Sequence, residues 1–398
     1  MPDNLYWEVD APMIWAVLDM QPVKVDVPGW HKLVATFTEE AAHRQDKLGF
    51  NVKSPKQVKE AVKKIANVNL KDTQGKTLES FVEYHPVFKS IIDCRAYRTA
   101  ISFFGENWLK KNVDENSLVR SAWKITGAET GRMASASPNL QQIPSRNVEL
   151  GMDKYRELFI SKYDDGELLV ADINQQEPRI LAYASRDPVL IEALTKGEDL
   201  HLRVAREIFN DPKLTKKDTE KRSLGKAINL GLAYGLTAGG LARNTGLSEN
   251  EAQHLLDNYF DRFKGVAAWI SLQRNQAQNN EYVMSAGSIS RKIWVNLYNQ
   301  QWENNAINSP IQGGASTHTK LTVGLLWKEC RRQKIDFPLT MVVHDEIILD
   351  LHRGDIEMYT GIVNDAWLSA AEKLFSPIPF KVDIAHGKNW NCKREEAG

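Results

Sequence analysis

Two apolar segments, far apart in the chain, each carry a carboxylate where a strand would be buried. Glu167-Leu-Leu-Val-Ala-Asp172 ends on one. Leu339-Thr-Met-Val-Val runs through His344-Asp345-Glu346 and continues as Ile-Ile-Leu-Asp-Leu351. A charge inside an apolar strand pattern is costly unless it is paired or bound to a metal. Either aspartate alone reads as a strand-end or edge residue; together they suggest two strands presenting Asp172 and Asp345 to a shared divalent cation site. Hard oxygen ligands with few other protein donors suit Mg²⁺, which keeps waters and takes substrate phosphates. Two such ions ~3.5–4 Å apart can activate an attacking hydroxyl and stabilise a leaving oxygen. Between the segments lies sequence with helical character from Arg179 to about Asn279. Helices inserted between strands of one sheet make an α+β pattern.

The rest of the chain supports several subdomains around that sheet. At 398 residues it is long for one core. Residues 36–66 read as helical with a break near Gly49 to Pro55, where Ser54 is a fitting N-cap and Pro55 a fitting first helical residue. The region from Asp72 to Gly75 reads as a loop, and helical periodicity returns near Leu78–Lys111. Polar, turn-rich sequence spans Thr126 to Asn147. No apolar run is long enough to span a bilayer, and no secretory signal opens the chain. Cys94, Cys330 and Cys392 are widely separated and form no CxxC pair, which argues against a zinc site or a disulfide framework and for a reducing cytoplasm. Lys plus Arg and Asp plus Glu are both 51, so any nucleic-acid surface must be local. The lysines from Lys53 to Lys64 could track phosphates or simply form a solvated helix face.

A third feature is the stripe Arg222, Lys226, Leu230, Tyr234, spaced by four. On a helix each such step advances only about 40°, so the four form one slowly winding line. Two cations, an apolar residue and a ring match a nucleoside triphosphate laid along the helix. An ordinary amphipathic helix gives the same spacing.

The motifs decide between these readings. Thr130-Gly-Arg132-Met-Ala-Ser-Ala-Ser-Pro138-Asn139-Leu-Gln141-Gln142-Ile-Pro144-Ser-Arg146-Asn147 resembles the family A polymerase segment TGRxSSxxPNLQNIPxRN. Asp172-Ile-Asn-Gln175-Gln-Glu177-Pro-Arg179 is similar to motif A, DYSQIELR, and Arg222 to Gly235 to motif B, RxxxKxxNFGxxYG. Val343-His344-Asp345-Glu346 resembles motif C, and Asn308-Ser-Pro310-Ile-Gln312-Gly313 the NAPMQG segment before it. Asp199-Leu-His201 and His386-Gly-Lys-Asn389-Trp390 resemble the family's D-(I/L)-H and closing GxNW. Seven blocks in order, from about Asp10 to Trp390, resemble the polymerase domain of bacterial DNA polymerase I.

The resemblance implies a right-hand fold: palm start 1–24, thumb 25–121, palm with motif A 122–200, fingers with motif B 201–300, and palm with motif C 301–398. It implies DNA-directed DNA synthesis in replication or repair, with two Mg²⁺ ions held by Asp172, Asp345 and the carbonyl of Ile173. Glu346 lies beside them; strand alternation would turn it and His344 away from Asp345. Lys226 is implied as catalytic, neutralising the triphosphate with Arg222 and protonating pyrophosphate. Leu230, Tyr234, Gln175 and His201 complete the dNTP set, and Glu177 is the implied gate against a 2′-hydroxyl. Asn174-x-x-Glu177 also resembles a capping box, in which Glu177 would cap the next helix. Arg132, Asn139, Gln141, Arg146, Asn308, Gln312 and His344 are the implied DNA contacts. Purine N3 and pyrimidine O2 accept in every Watson–Crick pair, so a minor-groove donor checks pair shape without reading sequence.

Departures from the family pattern carry expectations of their own. Pro178 stands where Ile or Leu is usual and, with Asn174 as N-cap, would occupy the first position that must donate to the helix, delaying or distorting its start. Asn304 stands where Arg is common, and Gln142 replaces a usual Asn. Family members carry an upstream exonuclease domain whose carboxylate patterns this sequence lacks, so proofreading is expected from a separate chain or not at all. That compactness suggests a bacteriophage enzyme, acting in host cytoplasm in viral DNA replication, with a helicase or processivity factor among its partners and no membrane. The alternatives are a single-subunit RNA polymerase, against which Glu177 and Glu346 argue, a catalytically inactive DNA-binding relative, against which Asp172, Asp345 and Lys226 argue, and a reverse transcriptase, on which the sequence is silent. Leu230 replaces Phe or Tyr and has neither a ring to stack nor a hydroxyl to stand in for a missing 3′-OH. Poor use of dideoxynucleotides is therefore expected, and efficient dideoxy termination by the wild-type chain in a primer-extension ladder would refute it.

Overall fold

The computed structural model describes residues 3–232 and 235–392. The two carboxylate-bearing segments are neighbours in one antiparallel sheet of four strands: β1 (Gly166–Ile173), β2 (Leu339–Val343), β3 (Glu346–His352) and β4 (Val382–Gly387), in the order β4-β1-β3-β2. Central strands covered on both faces can be apolar throughout, which is why β1 and β3 read as runs rather than alternations. Leu168, Val170, Met341, Val343 and Ile348 face Trp30, Tyr155, Phe159 and Trp390. Leu169, Ala171, Ile173, Val342, Ile347 and Leu349 face the opposite core, with Met13, Val323, Leu326 and Trp367.

Leu339 to Leu351 is not a single strand interrupted by Asp345. Val343 pairs with Glu346, and His344-Asp345 form the two-residue turn of a β-hairpin, with His344 at φ 60°. No Asn-Gly or Asp-Gly marks this turn, so the apolar run conceals it. Histidine is among the side chains that tolerate positive φ. Asp345 therefore sits at a hairpin tip rather than on a strand face.

Before the sheet comes a helical lobe. Helices α1 (Val27–Leu48) and α2 (Pro86–Phe104) pack together, α1 opening on the Asp26 side chain, which accepts from Gly29 N at 3.0 Å, and closing at Gly49 with φ 70°. Ser54 and Pro55 start the intervening helix as the sequence indicates. Beyond β1 come α3 (Gln176–Ser185), α4 (Leu200–Ile208) and α5 (Thr219–Leu232). Two longer helices cover the sheet, α6 (Trp302–Gln333) and α7 (Ile356–Phe375).

Helix α6 is buried along most of its 32 residues and is rich in small side chains. A Cβ on Gly313 would lie 2.7 Å from both Ile293 Cδ1 and Ser285 Cβ, so glycine lets the hairpin Tyr282–Met284/Lys292–Trp294 approach the helix. His318, in the same helix, is wholly buried. Its Nε2 lies 3.1 Å from the Trp367 carbonyl, which can only accept, so Nε2 carries the proton and Nδ1 accepts from Gln176 Nε2 at 3.1 Å. Burial brings the imidazole pKa down to about 4. The unfolded chain then binds a proton that the native state does not between about pH 6.5 and 4, so stability falls as pH drops through that window. The loss from His318 should be on the order of 3 kcal/mol. Denaturant unfolding across pH 4–7 should show a shallower acid slope for His318→Gln.

Candidate active site

The register of β1 against its neighbours builds the site. Asp172 is opposite Glu346 of β3 and Asp383 of β4. Directly opposed residues share a sheet face, so three carboxylates stand in one row at the end of the sheet. The hairpin tip brings Asp345 to the same place, and both Asp172 and Asp345 line a cleft of about 680 Å³. Burial pushes the Asp345 carboxyl above the usual carboxylate range.

Glu346 is held behind the cleft. It accepts from Trp390 Nε1 at 2.7 Å and from Arg156 at 3.4 Å, while the Arg156 guanidinium lies 4.1 Å from the Trp390 ring centroid. Trp390 thus fixes the carboxylate next to Asp172 across the ladder.

The turn from β1 into α3 forms one wall. Gln175, at φ 52°, is the N-cap residue of α3, and the first helical backbone bond runs from Arg179 N to Gln175 O at 3.2 Å. Pro178 therefore lies in the first turn, ahead of the first residue that must donate, and the helix accommodates it without distortion. The capping-box geometry does not form. Asn174 Nδ2 donates instead to Asp383 at 2.9 Å, and Glu177 Oε1 accepts from Arg132 at 2.6 Å. Ile173, Gln175, Glu177, Arg132, Gln141, Arg146, His344 and Leu230 all line the cleft. Gln141 also donates to the Val342 carbonyl at 3.1 Å, tying its loop to β2.

Other expected site residues are not at the cleft wall. Of the stripe on α5, Lys226 is exposed, and Arg222 donates twice to Asp199 Oδ2, at 2.9 and 2.7 Å. Tyr234 lies outside the described residues. His201 is buried on α4, and burial brings its pKa to about 4, so it offers hydrogen bonds rather than charge at neutral pH. Asn139 caps the short turn Leu140–Gln142, accepting from Gln141 N at 3.0 Å. Asn308 and Gln312 are half-buried on α6. Asp383 is the cleft residue that motif reading missed; its clue was a carboxylate inside Lys381-Val-Asp-Ile-Ala385.

The sequence profile of DNA polymerase family A matches residues 31–392. The chain belongs to that family. Against DNA polymerase I of Bacillus subtilis (strain 168) it is 29% identical over 408 residues, covering 97% of this chain and 46% of that protein. Against DNA polymerase I of Lactococcus lactis subsp. cremoris (strain MG1363) it is 31% identical over 393 residues, covering 92% and 44%. This family A chain thus spans less than half the length of these relatives, whose bacterial sources lend no support to a phage origin. Among solved structures, it superposes on the POL domain of Pol1 from M. smegmatis, in complex with DNA primer-template and dNTP, with a TM-score of 0.86 at 27% identity. The match covers 98% of this chain and 72% of that one. The fold is therefore the palm, fingers and thumb arrangement of that polymerase domain. Among the described residues no helix is long and apolar enough to cross a membrane, and no group of three or more His, Cys, Asp or Glu is placed to hold a metal.

Trp390→Phe would keep an aromatic ring beside Phe159 and Arg156, remove the donor to buried Glu346 and leave a small void where the larger indole packed. A loss of about 1.5–3 kcal/mol in unfolding free energy is expected, read by urea denaturation.

Proposed function

We propose that this chain is a DNA-directed DNA polymerase that adds deoxynucleotides to a primer 3′-hydroxyl on a DNA template, in replication or repair. The observation carrying this reading is the cleft in which Asp172 and Asp345 meet beside the Arg132–Glu177 pair. Its charge is informative. Among the described residues that line it, Asp172, Glu177, Asp345 and Asp383 outnumber Arg132 and Arg146, and Lys381 lies 3.9 Å from Asp383, which leaves the cleft acidic. Such a cleft repels a triphosphate and a primer end unless cations fill it.

Two Mg²⁺ ions fit that donor set. Asp172, Asp345 and the Ile173 carbonyl are hard oxygens, and so small a protein donor set leaves room for waters and substrate phosphates. When bound, such ions lower the pKa of the attacking hydroxyl and neutralise charge on the leaving oxygen. The protein supplies the rest. Glu346, fixed by Trp390, maintains the spacing of the row. Glu177, held by Arg132, closes the space that a ribose 2′-hydroxyl would need. Arg132, Gln141, Arg146, Asn308, Gln312 and His344 serve the primer–template, with Asn139 shaping their loop. Lys226 and Arg222 take the triphosphate; Arg222 must share its guanidinium with Asp199 or exchange that partner for phosphate. The palm start at 1–24, thumb at 25–121, palm at 122–200 and 301–398, and fingers at 201–300 are the corresponding divisions.

The test is extension of a labelled primer on a DNA template with Mg²⁺, offering dNTPs or rNTPs. Template-dependent extension with dNTPs is expected, reduced by roughly a thousandfold or more in Asp345→Ala. Glu177→Ala should admit rNTPs. Extension by the Asp345→Ala chain at the wild-type rate would overturn the assignment.

A further inference from the structure

Arg132 can hold Glu177 only if its own backbone is fixed, and the structure shows what fixes it. Arg132 follows Gly131, whose φ is 81°. The Gly131 carbonyl accepts from Ser316 Oγ of α6 at 2.6 Å. On its other side the Arg291 side chain lies against the glycine: a Cβ there would be 2.7 Å from Arg291 Nε and 2.8 Å from Cζ. Glycine is thus required for both its dihedral angle and the close approach.

Arg291 is itself held from behind. Its guanidinium donates to Asp10 Oδ1 and Oδ2 at 3.1 and 3.2 Å. The same Asp10 Oδ1 accepts from Lys320 Nζ at 3.3 Å. Side-chain exposures are 14% for Arg291, 17% for Asp10 and 1% for Lys320. Lys320 lies one turn after Ser316, so both project from the same side of α6. Two cations share one carboxylate away from water, an arrangement that is strongly destabilised when the carboxylate is removed. Two residues after Ser316, His318 meets Gln176, the neighbour of Glu177. One helix therefore supports both members of the Arg132–Glu177 pair.

We infer that Asp10, Arg291 and Lys320 are positioning residues for sugar selection: they press the Gly131 backbone into place and so fix Arg132, which holds Glu177 where a 2′-hydroxyl would lie. This rests on the polymerase reading above. None of the three is among the residues that line the cleft. Loosening the cluster shifts Arg132, weakens its hold on Glu177 and makes room for a ribonucleotide.

The experiment measures kcat/KM for a dNTP and its matching rNTP on one primer–template with Mg²⁺, for wild type, Asp10→Asn, Asp10→Glu and Arg291→Lys. Each variant is paired with its unfolding midpoint. Val363→Ala, a core truncation in α7, serves as a purely destabilising control. The dNTP-over-rNTP preference should fall roughly tenfold or more in Asp10→Asn and Arg291→Lys. It should recover in part in Asp10→Glu and stay unchanged in Val363→Ala. If Asp10→Asn does not fold, Ser316→Ala, which removes one hydroxyl behind Gly131, should shift the preference in the same direction. Variants that lose dNTP and rNTP use in equal proportion, as the control does, would show the cluster to be structural only. A wild-type chain that extends no primer would instead defeat the polymerase reading itself.

Discussion

The register between β1 and β3 is the constraint on which the site depends. Asp172 is level with Glu346, and every pair down to Gly166 and His352 follows in step. A slip of one residue would exchange the two faces of the strand. Asp172 would then point toward the core of Val323, Leu326 and Trp367, and Ala171 would take its place in the row. That register is secured by burial on both sides, since each face of the two strands belongs to a different apolar core. Packing in regions remote from the cleft therefore sets the chemistry at its floor.

The second determinant is α6. A helix this buried would ordinarily be aliphatic, yet Ser316, Thr317, His318, Thr319 and Lys320 are consecutive and all nearly inaccessible. Each finds a partner: Thr317 and Thr319 donate to the carbonyls of Gly313 and Ala315, and the other three reach Gly131, Gln176 and Trp367, and Asp10. A satisfied polar stretch of this kind specifies one arrangement, because any rotation of the helix strands several groups at once. Its polar residues serve the loops around the cleft, and its glycines admit the hairpin.

Much of this was legible in the sequence because it follows from local rules. The apolar runs around Asp172 and Asp345, the cap at Ser54 and the motif blocks each depend on neighbouring residues. What was hidden depends on residues distant in sequence. The hairpin tip at His344-Asp345 carries no turn signature, so a strand count from apolarity alone merges two strands into one. The harmless place of Pro178 depends on Gln175 adopting φ 52°, which moves the helix start by one residue. The partners of Glu346, Asn174 and Arg291 lie between 44 and 281 residues away, beyond any periodicity. Asp383 was overlooked because its importance arises from strand order, with β4 at the sheet edge beside β1.

The two principal carboxylates stand on different mechanical footings. Asp172 is in a strand paired on both sides, and it can move only with the sheet. Asp345 is at the tip of a two-residue turn, attached to the sheet through Val343 and Glu346 alone. One member of the pair is held by strand pairing and the other by a turn. The position of Asp172 is thus set by two ladders at once, and that of Asp345 by the geometry of a single turn.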